Sequence, residues 1–332
     1  MSEAAMDQDV LLTPEGFLPS DLWLDRPDAV DEIKRRLQAG RLTEQQAADL
    51  EQYAVDGYLT IDLDLEESVF DDIEQCVERM WKDKPSDIVY AYDGALRRMN
   101  EAAEERERRP PYRIMGLESQ SSAAMSLYLN DTIFEYLRLI FEERPVATQS
   151  IYFEYGSRQQ LHRDPVHVYM DPPSHLAAAW IALEDIHPDC GPLTYVPGSH
   201  RLPYFQFEPG VYRFDHYHHT GEDADRMAAA EEAQARAHGL EAEPFLPKRG
   251  QVLIWHHSLL HGGSPGREDM TRKSFVIHYA TMQFFESAKQ SISRPDGDGS
   301  GERVMEIYEN YEVMTRGACH GFRPPLLGGL AR

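Results

Sequence analysis

His162-Arg163-Asp164 sets an imidazole and a carboxylate two residues apart. In an extended segment residues i and i+2 point the same way, so both side chains can face one interior. Two ligands do not hold an iron(II) ion, and a third must come from far along the chain. His261 is the best candidate, in Trp255-His256-His257-Ser258-Leu259-Leu260-His261-Gly262-Gly263, where glycine lets the backbone turn tightly beside a metal. His256 and His257 are its rivals. Two histidines and one carboxylate on one face leave three coordination positions open, the facial triad of non-haem iron oxygenases. A bidentate 2-oxoacid can take two of these and O2 the third. Arg272, eleven residues after His261, can fork onto the distal carboxylate of such an acid through two parallel hydrogen bonds. The plainer reading of Arg272 is a surface salt bridge with Glu268 or Asp269.

These residues fall in the strand-like half of the chain. Val146 to Tyr155, His167 to Met170, Leu176 to Leu183, Leu193 to Val196, Val252 to His256 and Ser274 to Phe285 are rich in β-branched and aromatic residues and punctuated by Pro and Gly. Helical signals precede them. Thr43 and Gln46 have capping-box spacing, with Leu42 and Ala47 as a staple; the helix runs to about Val55 and stops at Gly57. Tyr58 to Ile61 follows as a short strand. Val69, Ile73, Val77 and Met80 recur at helical spacing over 66–82. Asp131 caps a helix through Phe141. The charge run 101–109 reads as a solvated helix face. Helices first and strands afterwards predict a mainly β chain with helices (α+β), one β-barrel or sandwich buttressed by N-terminal helices.

The segment 205–247 interrupts the strands. It opens with Tyr212, Phe214, His216, Tyr217, His218 and His219 and continues as an acidic Ala-rich helix from about Glu222 to His238. Its length and position suggest a mobile cover over a substrate pocket, with the helix solvated. The His216, His218, His219 group has metal-like spacing but no carboxylate pattern, and is expected at the substrate entrance or the surface. His200, in a Pro-Gly-Ser-His turn, is expected to be structural.

The net charge of −24 disfavours nucleic acid, which needs a basic surface, and also a multiply anionic substrate. Three cysteines, with no C-x-x-C pair, argue against a disulfide framework. No signal peptide, peroxisomal address or apolar run of about 20 residues is present, so the expectation is a cytoplasmic protein without membrane partners. A neutral or cationic small-molecule substrate fits the charge. Monomer and homo-oligomer stay equally open.

The ordered set His162-Arg163-Asp164, Gly191-Pro192-Leu193-Thr194-Tyr195-Val196-Pro197-Gly198-Ser199-His200, Gly250-Gln251-Val252-Leu253-Ile254-Trp255, His261-Gly262-Gly263 and Arg272 resembles the phytanoyl-CoA dioxygenase family. So does the opening Leu42-Thr43-Glu44-Gln45 with Asp56-Gly57-Tyr58, and the likeness spans roughly 41–285. The resemblance implies a double-stranded β-helix (jelly-roll, cupin-like) core, with iron(II), 2-oxoglutarate and O2. It implies that His162, Asp164 and His261 ligate the metal and that Arg272 binds 2-oxoglutarate. Trp180 sits where the family has a co-substrate pocket Trp, and Gln149 resembles a position that hydrogen-bonds 2-oxoglutarate. Gly250-Gln251 departs from the family's common Gly-Asp, at a position read as a turn. A single domain over 1–332 is expected, with an extension (1–42), a catalytic core (43–285, insertion 205–247) and a tail (286–332). The expected reaction is hydroxylation of an aliphatic C–H bond with release of succinate and CO2. Desaturation, epimerisation or cyclisation on the same cofactors is the alternative. A related halogenase would lack Asp164. A non-redox cupin isomerase or sugar-binding module would have no use for Arg272.

Overall fold

The computed structural model describes residues 10–14, 20–92, 95–102, 105–168, 170, 172–215, 218–284, 312–316 and 319–323. Its helices are α1 (Ala29–Gln38), α2 (Glu44–Asp56), α3 (Glu67–Asp83), α4 (Met99–Ala102), α5 (Ser122–Tyr128), α6 (Asp131–Phe141), α7 (Asp164–His167) and α8 (Gly221–Ala237). Its strands are β1 (Tyr58–Asp62), β2 (Val89–Tyr92), β3 (Ala95–Arg98), β4 (Arg113–Met115), β5 (Pro145–Phe153), β6 (Leu176–Ala182), β7 (Leu193–Tyr195), β8 (Glu243–Pro244), β9 (Gln251–His256), β10 (His261–Gly263), β11 (Ser274–Thr281), β12 (Glu312–Arg316) and β13 (Cys319–Arg323).

A large sheet runs β1-β9-β6-β11-β5-β4-β2-β3, and a small one runs β10-β7-β8. An antiparallel bridge between His162 and His261 brings the His162 segment to the edge of the small sheet. The two sheets form the jelly-roll core expected from the sequence. Strict alternation sorts the large sheet's side chains. Ala177, Ala179 and Ile181 of β6, Phe275, Ile277 and Tyr279 of β11, and Val252 and Ile254 of β9 join the helix-side core. Ala178, Trp180, Val276, Leu253 and Trp255 point the other way, toward the small sheet. Strands buried on both faces read as continuous apolar runs, as β6 does. Helices α2, α3 and α6 cover the first face with Leu50, Tyr53, Phe70, Ile73, Val77, Phe134 and Leu137.

The α2 signals are met in full. Thr43 and Gln46 form a reciprocal capping box, and Gly57 closes the helix at φ 83°. Other expectations shift. Asn130, not Asp131, caps α6, its side chain accepting from the backbone N–H groups of Thr132 and Ile133. Of the strand expected over His167 to Met170, the described residues form none; Asp164-Pro165-Val166-His167 forms a single helical turn, with proline just inside its start. The charge run is only partly a solvated face: Glu101, Arg106 and Arg109 are exposed, but it turns inward between them. Glu107 is buried and accepts from Tyr90 Oη at 2.6 Å and Arg97 Nη1 at 2.9 Å, and Arg108 Nε donates to Glu154 at 2.9 Å. The strand expected over Ser274 to Phe285, β11, ends at Thr281. Within the tail, β13 adds to the large sheet, pairing in parallel with β5 at Val146 and Ala147.

The N-terminal extension is packed on this body. Trp23 and Leu24 are buried, and Thr13 N–H donates to Tyr204 O at 2.8 Å. The three cysteines are free and buried. Among the described residues no helix is long and apolar enough to cross a membrane.

Candidate metal centre

His162 and Asp164 flank an extended Arg163 (φ −113°, ψ 140°), so both point into the space between the sheets, as the two-residue spacing requires. His261 opens β10, bridged to His162 by two backbone hydrogen bonds of 2.9 and 3.0 Å. Potential ligand atoms of His162, Asp164 and His261 all lie within 4.8 Å of one another. Among the described residues, they are the one group of His, Cys, Asp and Glu so arranged. Gly262 and Gly263 serve a different need from the expected turn. A Cβ on Gly262 would stand 2.8 Å from Gln159 O, and one on Gly263 would stand 2.9 Å from Arg158 N. Glycine here admits the 157–160 loop against the ligand strand.

Each ligand is oriented by a partner. His162 Nδ1 lies 2.8 Å from Gln160 O and His261 Nδ1 lies 3.0 Å from Leu259 O. A carbonyl accepts only, so both Nδ1 atoms carry the proton and both Nε2 lone pairs are left for a metal. Trp255 Nε1 donates to Asp164 Oδ2 at 2.7 Å, leaving Oδ1 toward His261 Nε2 at 3.5 Å. Loss of solvent, and then the His261 ring, push the His162 pKa down to about 3. Burial alone would raise the Asp164 carboxyl, but His261, His278 and His162 pull it below the usual carboxylate range. The donor set is thus two imidazole Nε2 atoms and one carboxylate, the kind that suits a divalent cation.

Of the two rivals, His256 is engaged, while both ring nitrogens of His257 are buried without a protein hydrogen-bond partner. His256 Nδ1 accepts from Ser258 N–H at 3.0 Å, so its Nε2 carries the proton and donates to Asp25 at 3.1 Å. His257 and His200 are buried on the same side, with rings 4.0 and 5.0 Å from that of His256. His218 pairs with Asp215 at 2.6 Å and His219 stacks on Phe207 at 4.2 Å. His216 lies outside the described residues.

A cavity of about 570 Å³ opens beside the triad, lined by Gln149, Trp180, Arg272, Arg113 and His278 among others. Arg272 is 1% exposed, which removes the surface salt-bridge reading. Asp269 pairs with Arg267, and Glu268 with Arg158. Arg272 Nη1 reaches Gly191 O at 3.3 Å, while Nε has no protein partner, and Trp180 Nε1 has none either. Burial lowers the Arg272 pKa to about 10, with no carboxylate to oppose it. A buried guanidinium without a counter-charge is costly. A carboxylate ligand in the cavity would supply one. The residues therefore fit both iron and a 2-oxoacid. Gln149 is half-buried on β5, directly across from His278 on β11.

Sequence reasoning missed Arg113, Trp255 and His278 as cavity residues. A His in the apolar alternation of β11 was a visible signal. A lone Arg113 on a three-residue strand was not.

The profile of the phytanoyl-CoA dioxygenase family matches residues 26–274. The chain belongs to this family. With the family go iron(II), 2-oxoglutarate and O2, and the class of 2-oxoglutarate-dependent dioxygenases. A probable phytanoyl-CoA dioxygenase of Caenorhabditis elegans is 32% identical over 129 residues, covering 37% of this chain and 36% of the relative. The peroxisomal phytanoyl-CoA dioxygenase of Bos taurus is 29% identical over 129 residues, 37% and 34% respectively. The match thus spans about a third of the length of these curated relatives. Among solved structures, EctD from S. alaskensis with bound Fe superposes with a TM-score of 0.55 at 18% identity, covering 83% of this chain and 85% of that one. The 2-oxoglutarate-dependent carbocyclase SnoK from nogalamycin biosynthesis gives 0.53 at 18%, covering 73% and 85%. At such identity these likenesses carry the fold alone.

The insertion helix α8 is buried on one face rather than simply solvated. No described residue of 205–247 lines the cavity. Phe205, Met227 and Ala230 pack on Val166, and Ala235 packs on Val196, Leu202 and Leu260. Glu231 of α8 is buried and pairs with Arg163 at 2.9 Å, their side chains 2% and 0% exposed. Arg163 also donates to Leu202 O, Pro203 O and Ser258 O, each at 3.2 Å. The residue between two triad members therefore ties the insertion helix to the loop that leads into His261.

Proposed function

We propose that this protein is an Fe(II)- and 2-oxoglutarate-dependent dioxygenase that hydroxylates an aliphatic C–H bond of a small metabolite. The orientation of the triad carries the reading. Two Nε2 lone pairs and Asp164 Oδ1 converge because Gln160 O, Leu259 O and Trp255 Nε1 hold the other polar atoms. In this reading His162, Asp164 and His261 hold the iron, and Arg272 receives the distal carboxylate of 2-oxoglutarate. Trp180 walls the co-substrate, and Gln149 hydrogen-bonds it. Iron(II) with 2-oxoglutarate supplies the oxidising chemistry, in which O2 is consumed, 2-oxoglutarate becomes succinate and CO2, and the substrate gains a hydroxyl group. The chain's own part is to fix the ligand lone pairs, to neutralise the co-substrate's carboxylate with Arg272, and to keep the reacting space dry with Met115, Ile151, Val276 and Val168. The close packing of extension, sheets and insertion helix supports reading 1–332 as one catalytic domain.

The net charge pointed toward a neutral or cationic substrate, but the cavity has a field of its own. Asp164 is the one carboxylate among its lining residues, while Arg113 and Arg272 are both cations. Burial lowers the Arg113 pKa, with no carboxylate to oppose it. A cationic metabolite would find no counter-charge apart from a metal ligand, so the proposal narrows to neutral or singly anionic molecules.

The test is succinate release from 2-oxoglutarate with Fe(II) and ascorbate in air, with product masses read in parallel across a metabolite panel. Gain of one oxygen atom marks hydroxylation. Loss of a hydrogen pair marks desaturation or cyclisation, and unchanged mass with altered stereochemistry marks epimerisation. Absence of any 2-oxoglutarate turnover contradicts the class and favours a non-redox cupin.

A further inference from the structure

Neighbours along an extended segment point to opposite sides. His162 and Asp164 face the cavity, so Arg163 between them points away from it, toward helix α8. There its side chain is wholly buried. Nε and Nη2 donate to the two carboxylate oxygens of Glu231 at 3.1 and 2.9 Å. Nη1 donates to Leu202 O and Ser258 O, and Nη2 also to Pro203 O, each at 3.2 Å. A guanidinium has five N–H donors, and these bonds use them all. A buried ion pair is a poor source of stability, because apolar side chains of similar volume often do as well or better. What an apolar pair cannot do is hold carbonyls of two separate loops and a helix side chain in fixed directions.

Every tie of this clamp leads to a metal ligand. The Arg163 backbone lies between His162 and Asp164, so fixing its side chain fixes both neighbours. Ser258 O belongs to the residue before Leu259, whose carbonyl takes the His261 Nδ1 proton. Tyr204 lies under the guanidinium, 4.5 Å from its ring centre, and its hydroxyl meets that of Ser258. Helix α8 repeats the pattern with apolar contacts. Met227 and Ala230 cluster with Val166, two residues past Asp164, and Ala235 clusters with Leu260, the residue before His261.

We propose that Arg163, held by Glu231 of α8, is a positioning residue of the metal centre. It fixes the His162–Asp164 segment and the 258–260 loop in one relative geometry, so the iron affinity of the triad depends on the insertion helix. Ligands held in place before the metal arrives need no ordering when it binds. The role rests on the iron reading above, and the experiment separates the two.

Fe(II) affinity is measured anaerobically by competition with a chromophoric chelator, and set beside denaturant stability. The proteins are wild type, Arg163→Met, Arg163→Met/Glu231→Met, Arg163→Lys and Thr43→Ala. The double variant removes the unpaired buried carboxylate, so it should be clearly more stable than Arg163→Met. Its iron affinity should not recover with its stability. Both Met variants are expected to bind iron about 10- to 100-fold more weakly than wild type, the usual cost of losing a group that orients metal ligands. Arg163→Lys keeps a charge beside Glu231 without the planar fork. It should fold and still bind iron about tenfold more weakly, and it decides the matter if the Met variants do not fold. Thr43→Ala, remote from the site, should lose stability and keep its iron affinity. Wild-type iron affinity in the Arg163 variants that fold overturns the proposal. So does an affinity that simply follows stability across the series, which leaves the pair as a structural tie. A wild type that binds no iron locates the failure in the cofactor reading, and the positioning role falls with it.

Discussion

Two histidine clusters are joined in sequence by the short run from His256 to His261. His162, Asp164 and His261 face the cavity, while His200, His256 and His257 gather with Asp25 on the helix side. Both contain buried imidazoles and a carboxylate. They differ in where the protons are held. In the first, each Nδ1–H is spent on a backbone carbonyl and each Nε2 is free. In the second, His256 accepts at Nδ1 and donates at Nε2, so neither nitrogen can bind a metal. His200 is also wedged against α2, where a Cβ on Gly57 would stand 2.6 Å from its Nδ1. A metal site is therefore specified by the partner of the other ring nitrogen and by access to a cavity, and only then by residue type.

The sharpest way to break this contrast is to exchange the two roles. His261→Ala is expected to abolish iron binding and succinate formation, while His257→Ala leaves both in place; metal content of the folded variants decides it. Arg163→Met comes next. It leaves Glu231 buried without its counter-charge, so stability should fall by about 3–5 kcal/mol in denaturant unfolding. The double variant Arg163→Met/Glu231→Met should recover much of that loss. Deleting 221–239 should behave like Arg163→Met and lower stability; a deletion variant of native stability would show that α8 is a mere decoration.

Arg272→Lys should weaken 2-oxoglutarate binding by about 10- to 100-fold, the size of a lost charge-assisted hydrogen bond, with iron affinity unchanged. For the second cluster the expected signature is acid sensitivity. Burial, reinforced by His256, holds the His200 and His257 pKa values well below the ordinary 6.5. The unfolded chain then binds more protons below that pH, so stability is full above about 6.5 and falls by up to about 1.4 kcal/mol per unit for each histidine as pH drops. Asp25 acts in a lower window. Despite burial, chiefly His256 holds its carboxyl below the usual range, so its contribution is full above the ordinary carboxylate pKa, about 4, and is lost as pH falls below that. A stability profile flat between pH 7 and 5 would contradict the burial of uncharged rings. The smallest effect belongs to a residue remote from both clusters. Thr43→Ala should cost about 1 kcal/mol through the lost cap of α2 and leave iron and 2-oxoglutarate binding untouched.

The sequence made the triad legible because its chemistry is local. The spacing of His162 and Asp164 gives a common face wherever the intervening residue is extended, and Arg163 is. The choice of His261 over His256 and His257 rested on its following glycines and on Arg272; its physical ground is the Leu259 carbonyl two residues from His261, and for His256 the Asp25 carboxylate 231 residues away. The α2 signals were equally readable because a capping box is complete within four residues. The insertion was misjudged for the opposite reason. Glu231 looks like one more acid on a charged helix, and only the burial of Arg163 shows why it is there. His278, a polar break in an apolar strand, went unread, because its place on the cavity wall depends on the pairing of β11 with β5 and β6.

The central claim is that these three oriented ligands and Arg272 build one site for iron and 2-oxoglutarate. The most direct measurement is anaerobic absorption during addition of Fe(II) to the protein with 2-oxoglutarate present, followed for the metal-to-ligand charge-transfer band of an iron–2-oxoacid chelate. The account predicts a band that saturates at one iron per chain, requires both components, persists in His257→Ala and disappears in His261→Ala. A band that survives His261→Ala, or a wild-type protein that binds iron and 2-oxoglutarate without forming any, would contradict it.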